Sequence, residues 1–342
     1  MKPTDFAYHL SNYFKTYLPG TLGLREKSIL SYQSAVFTFV KFMKEEKHLN
    51  PEKITLDTFS VPLLMEYLQH LEDSGNSIST RNHRLTVLRS FFQYVQLVDP
   101  KQMFLMQQLL GLKRKKQPQP VVNYLSADGI KLLLSTPQAA TRHGYRDMLL
   151  LSVLYETGAR VSELIGITVG DIRFEKPATI VLHGKNEKSR IVPLAQRAAD
   201  MLQRYLEREN LLRGNNNKSL VFTNASHGKL TPAGITHILK KHADVAREKN
   251  PTLIPTTLSP HCLRHSKAMH LLQSGVHLIY IRDFLGHASI KTTEVYAKID
   301  GEQKRKAIEN AYTDLPNDSG FQGDWSSNLP LMQWLRDTCS GL

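Results

Sequence analysis

The chain has 342 residues, which at about 150 residues per domain predicts two domains, each able to bury its own core. With 41% hydrophobic and 22% charged residues, it is neither collagen-like, low-complexity nor wholly disordered, and two cysteines, Cys262 and Cys339, exclude a disulfide framework or a cysteine-rich zinc site. The 44 Lys and Arg against 31 Asp and Glu give a net charge of +13, which suits a polyanion such as DNA or RNA.

The opening residues, MKPTDFAYHL, carry no apolar signal core, and no window approaches the roughly 18 apolar residues of a membrane span, so a cytoplasmic protein is expected. In chain order, apolar residues at Ile29, Tyr32, Val36, Phe39, Val40 and Met43 predict an amphipathic helix over 28–44. A second follows over 61–71 with Pro62 in its first turn. A third, over 79–95, has the stripe Leu85, Leu88, Phe91, Phe92 and Val95. Its other side carries Arg81, His83, Arg84 and Arg89, either a solvated face or one laid against phosphates.

Lys113, Arg114, Lys115 and Lys116 then run into a Pro-spaced stretch, read as the interdomain linker 113–120 between domains at 1–112 and 121–312. Beyond it, Ser126 is the expected N-cap of a helix through Leu134, and Arg146 to Tyr155 is a strongly apolar helix ending near Gly158. Residues 179–182 and 190–194 are β-type runs joined by a polar, basic tip, a hairpin, whose cations Lys188 and Arg190 are candidates for DNA contact. Helices are expected over 195–210, 231–249 and 262–275. The fold class is therefore mainly α with a small β-sheet. Residues 313–342 carry Asp314, Asp318, Asp324 and Asp337 against Arg336, an acidic tail with a short amphipathic pattern.

Two segments carry more chemistry than packing needs: Thr157-Gly158-Ala159-Arg160-Val161-Ser162-Glu163, and the stretch from His261-Cys262-Leu263-Arg264-His265 through Leu285-Gly286-His287 to Tyr296. Singly, each residue has an ordinary structural reading, as an ion pair, a turn, a cap or a core aromatic. Their joint order resembles the tyrosine recombinases, or phage integrase family, whose pattern is an Arg, a hairpin Lys, a His-x-x-Arg, a His in Leu-Gly-His and a Tyr about nine residues on. Here these are Arg160, Lys185, His261 with Arg264, His287 and Tyr296. The resemblance covers about residues 121–300, and the helix over 79–95 resembles the last helix of the family's core-binding domain. It implies an N-terminal helical core-binding (SAM-like) domain plus an α+β catalytic domain, closing as a C-shaped clamp on double-stranded DNA.

The residue types fit that chemistry independently. Two always-ionised, fork-shaped guanidiniums, Arg160 and Arg264, suit the charge that grows on a phosphodiester under attack. The Tyr296 phenol can form a covalent phosphoester and so split cleavage and rejoining into two steps. Its pKa near 10 calls for a proton acceptor, and the leaving 5′ oxygen for a donor. By resemblance His261 is the base, Lys185 the acid, His287 a phosphate ligand, and Glu163 an orienting acid. His265, His270 and His277 are read as structural. Lys267 departs from the family's usual apolar or aromatic residue and is a further candidate for DNA contact. No cofactor or metal is expected, so strand cleavage should persist in EDTA. The resemblance further implies a tetramer on two specific sites, a Holliday junction, and a tail that docks on a neighbouring protomer. The departure at Lys267 and the tail favour a mobile-element integrase or transposase; a type IB topoisomerase and a non-catalytic DNA-binding regulator stay open.

Overall fold

The computed structural model describes residues 3–117, 122–184, 189–212 and 216–299, together with Gln333 and Arg336. The chain divides into two compact units, Met1–Pro120 and Val121–Leu342. Lys185, Lys188 and nearly all of the acidic tail, the expected protomer-docking segment included, lie outside the described residues.

The first unit is helical: α1 (Asp5–Asn12), α2 (Glu26–Glu45), α3 (Val61–Asp73), α4 (Ile78–Val98) and α5 (Met103–Leu110). Each of the three helices expected here forms, extended by one to three residues at one or both ends. The stripes explain why. Val36, Phe39 and Met43 on α2 and Leu85, Leu88, Phe91, Phe92 and Val95 on α4 are buried, and they meet Tyr67 of α3 in a core where aromatic rings pack edge-on or stacked at about 5–6 Å. The sequence reading missed α1 and its continuation over Tyr13–Thr21, a run with i to i+5 bonding that contains Pro19. Pro19-Gly20 reads as a helix breaker, yet Phe6, Tyr13 and Leu18 complete the aromatic core.

The basic stretch after α5 is tied to this unit. Asn82, buried on α4, gives its amide to the Lys115 carbonyl at 2.8 Å and accepts the Lys115 N–H at 3.0 Å, while Arg89 donates to the Leu112 carbonyl at 3.0 Å. Glu72 of α3 pairs with both Arg81 and Lys115, which hold its carboxyl below the usual range.

The second unit contains α6 (Ala127–Leu134), α7 (Arg142–Glu156), α8 (Val161–Leu164), β1 (Ile172–Arg173), β2 (Thr179–His183), β3 (Ser189–Pro193), α9 (Gln196–Arg208), α10 (Pro232–Lys249), α11 (Pro260–Gln273), α12 (Leu278–Leu285) and α13 (Lys291–Ile299). Leu149, Leu150, Leu151, Val153 and Leu154 on α7 are fully buried, and α9 and α11 pack against it. The strands form an antiparallel sheet in the order β1-β2-β3, with Leu182 opposite Arg190 and Val181 opposite Ile191. Ile180, Leu182 and Val192 turn into the core, so this face of β3 also points Arg190 inward while Ile191 is exposed. A smaller cluster, Ala268, Met269, Leu272, Ile281, Leu285 and Tyr296, joins α11, α12 and α13.

Candidate active site

Two backbone kinks set the site. Gly158, after α7, has a φ of +56°, and Gly286, after α12, has a φ of +64°, both left-handed conformations that favour glycine. These turns present carbonyls to the two arginines. Arg264, on α11, donates to the Gly158 carbonyl at 2.7 Å and to the Leu285 carbonyl at 2.6 Å, and Arg160 reaches the Gly286 carbonyl at 3.1 Å. A Cβ added at Gly158 would stand 2.9 Å from Leu285 Cδ2 and 3.2 Å from Phe284 Cε1. Gly158→Ala is accordingly expected to cost about 1–3 kcal/mol through backbone strain and this overlap. It should also slow cleavage, because it moves an anchor of Arg264; unchanged thermal melting and unchanged cleavage would refute this.

Arg160 is the N-cap residue of α8, and Glu163 on that helix bonds back to it: the Arg160 N–H donates to Glu163 Oε2 at 2.8 Å and Arg160 Nη1 to Oε1 at 2.7 Å. Arg190 on β3 adds two more bonds to the same carboxylate, at 2.9 and 2.8 Å, and gives its Nε to the Phe284 carbonyl at 2.8 Å. Burial alone would push the Glu163 carboxyl up, but the bonds from Arg190 and Arg160 outweigh it and hold the group below its ordinary value. The carboxylate thus fixes one arginine of the expected clamp and ties the hairpin to α8.

Arg264 is 1% exposed, and its Nε has no partner among the described residues. Burial, with Arg160 and Arg190 nearby, draws its pKa down to about 10, so it stays charged at neutral pH. A buried guanidinium with an unused N–H beside a second, 39%-exposed guanidinium is suited to an anion. Tyr296 on α13 is 2% exposed, its phenol pushed up by burial and partly offset by Arg264. His287 commits Nδ1 to Thr293 at 3.0 Å; burial, followed by Arg264 and Arg160, pulls it down to about 4. His261 is exposed and shifted downward by its partial burial, Arg264 and Arg160.

Of the six expected catalytic residues, five are brought together and Lys185 lies outside the described residues. His265, read as structural, stands with its Nδ1 2.7 Å from the Tyr296 hydroxyl. The other expected DNA contacts are distributed unevenly. Arg81, Arg89, Lys115 and Arg190 engage protein partners, and Lys267 bonds Glu156 at 2.9 Å over the Tyr155 ring. His83 and Arg84 instead reach Ser31 at 3.1 Å and Ser34 at 3.4 Å in a groove of about 350 Å³ that Ser79 and Thr80 also line. Lys113, Arg114 and Lys116 are exposed. Among the described residues no group of three or more His, Cys, Asp or Glu is placed to hold a metal ion, and no helix is long and apolar enough to cross a membrane.

Residues 123–303 match the phage integrase family, and residues 12–97 match the phage integrase N-terminal SAM-like domain. The chain belongs to the phage integrase family. A Sinorhizobium fredii protein with the provisional name integrase/recombinase y4rC is 30% identical over 324 residues, 94% of this chain and 96% of that one. The tyrosine recombinase XerD of Listeria monocytogenes is 33% identical over 279 residues, 81% of this chain and 89% of that one. In fold, the chain is similar to the Tn1549 transposon integrase in complex with transposon right end DNA, with a TM-score of 0.69, 16% identity and coverage of 89% and 99% of the two chains. It is also similar to XerH recombinase bound to its difH substrate, with a TM-score of 0.66, 22% identity and coverage of 82% and 79%. This tyrosine recombinase therefore has the mainly helical fold of its family, with an N-terminal SAM-like region and a catalytic region.

Proposed function

We propose that this tyrosine recombinase cuts and rejoins duplex DNA at a specific site, with Tyr296 as nucleophile. The observation that carries the reading is the pair of guanidiniums, Arg160 and Arg264, anchored on the carbonyls of Gly286, Gly158 and Leu285 in one charge neighbourhood with the buried phenol. In the first step the phenolic oxygen bonds to phosphorus, the P–O5′ bond breaks, and a 3′-phosphotyrosine and a 5′-hydroxyl result. The two forks hold the non-bridging oxygens as their charge grows, a stabilisation pre-arranged by the backbone. His287, with Nδ1 held by Thr293, offers Nε2 to the same phosphate. Lys185 remains the acid implied by the family. The phosphotyrosine conserves the bond, so attack by a 5′-hydroxyl from a partner strand rejoins DNA without an external energy source.

Duplex DNA would also meet the hydroxyl-lined groove of His83 and Arg84 and the exposed Lys113, Arg114 and Lys116, contacts that make affinity fall steeply with salt. Four protomers on two sites, acting in the cytoplasm on a mobile element, are the fuller form of this reading; the likeness to a transposon integrase supports its mobile-element part.

The test is to incubate the full chain with duplex DNA from around its own gene, intact and nicked, in EDTA, and denature without protease. A covalent adduct on the 3′ side of a single mapped position is expected. No adduct on either DNA would overturn the reading, restoration by an added metal would overturn its metal independence, and relaxation of supercoils without site preference would favour a topoisomerase.

A further inference from the structure

We propose that His265 holds the Tyr296 hydroxyl and takes its proton during strand cleavage. This rests on Tyr296 being the nucleophile, and it differs from the family pattern, which implies His261 as the base.

The hydroxyl is 2.7 Å from His265 Nδ1, the rings have centroids 5.5 Å apart, and no other hydrogen-bond partner of the hydroxyl occurs among the described residues. A phenol has one proton to give, and in the role proposed its acceptor is the imidazole, which requires the Nε2–H tautomer with Nδ1 unprotonated. The surroundings favour the neutral ring that this requires, since burial, then His261 and Arg264, draw His265 down to about 4. His261 is not bonded to the phenol; its exposed ring stands 4.4 Å from that of His265, on the preceding turn of α11.

The site also explains why the acceptor becomes stronger when it is needed. In the protein alone His265 faces positive charge from Arg264 and, when protonated, His261. An arriving phosphodiester brings negative charge to the two arginines and offsets that field. As the Tyr296 oxygen bonds to phosphorus, its proton passes to Nδ1 and the imidazole becomes imidazolium, while the P–O5′ bond breaks and the 5′ oxygen takes a proton from the acid. In rejoining the order reverses, and the imidazolium returns the proton to the departing tyrosine.

Two variants separate this role from support of the helix that carries Arg264. His265→Asn keeps an acceptor near the Nδ1 position but cannot carry a proton, and His265→Phe removes both. Each is assayed as full chain on the nicked duplex that wild type cleaves, and for ligation of a 5′-hydroxyl strand to a 3′-p-nitrophenyl phosphate strand. That ligation uses the arginines but expels a leaving group that needs no proton. Both variants are expected to form the adduct about 100-fold more slowly or worse, and to ligate within about threefold of wild type. Near-normal cleavage by His265→Phe would overturn the proposal, and wild-type cleavage by His265→Asn would reduce the contact to a hydrogen bond with no proton transfer. Equal loss of cleavage and ligation in both would make His265 a structural support and overturn it too. Failure of wild type itself to form an adduct would strike the reading of Tyr296 instead.

Discussion

Tyr296→Phe is expected to form no covalent DNA adduct while binding DNA as wild type does. The substitution removes one oxygen from a ring that is 2% exposed and packed among Met269, Leu272, Ile281 and Leu285, so the apolar contacts that seat α13 persist. What disappears is the contact with His265 and the oxygen proposed to attack phosphorus. The first loss costs about 1 kcal/mol in stability, while the second removes the nucleophile, an effect on the order of 10⁶-fold in rate and hence below detection. Gel-shift affinity within about twofold of wild type, together with an empty adduct lane, is the expected pair of results. An adduct that survives would mean another side chain attacks, and lost binding would mean that the hydroxyl is structural.

The parts of this molecule that were legible in its sequence are those set by local chemistry. The α4 stripe follows from 3.6-residue periodicity, Ser126 caps α6 through the Gly129 N–H at 3.1 Å, and Gly286 ends α12 in the left-handed conformation. The order of Arg160, Arg264, His287 and Tyr296 was equally visible, because each lies in a short motif. What stayed hidden is partner choice across long separations. Arg190 looked like a hairpin cation for DNA contact, but strand alternation places it on the inward face with Val192, where it meets Glu163. That signal was present in the sequence, since Ile191 and Arg190 invert the usual pattern. His265 had no comparable signal. Its neighbour Tyr296 is 31 residues away, and only the packing of α11 against α13 brings the two together.

Glu163→Ala is expected to lower stability and cleavage together, for one electrostatic reason. The carboxylate, 1% exposed, accepts four hydrogen bonds from two arginines on α8 and β3. Removing it leaves the Arg190 guanidinium, 12% exposed, with its charge uncompensated and beside Arg264, and breaking such a buried pair costs about 3–5 kcal/mol. Glu163→Gln preserves the shape and should lose less. The pH dependence follows from the direction of the shift. Because the folded carboxyl titrates below its unfolded value, its stabilisation is fully present above the unfolded pKa and is lost as pH falls through the folded one. The melting-temperature gap between wild type and Glu163→Gln should therefore be widest near neutral pH and shrink on acidification. Cleavage should drop in Glu163→Ala even at temperatures where it is folded, since Arg160 loses both bonds to the carboxylate and keeps the one to the Gly286 carbonyl, and should drop less in Glu163→Gln. A gap that persists unchanged into acid, or full cleavage by folded Glu163→Ala, would show that the carboxylate neither carries this charge nor aims the arginine.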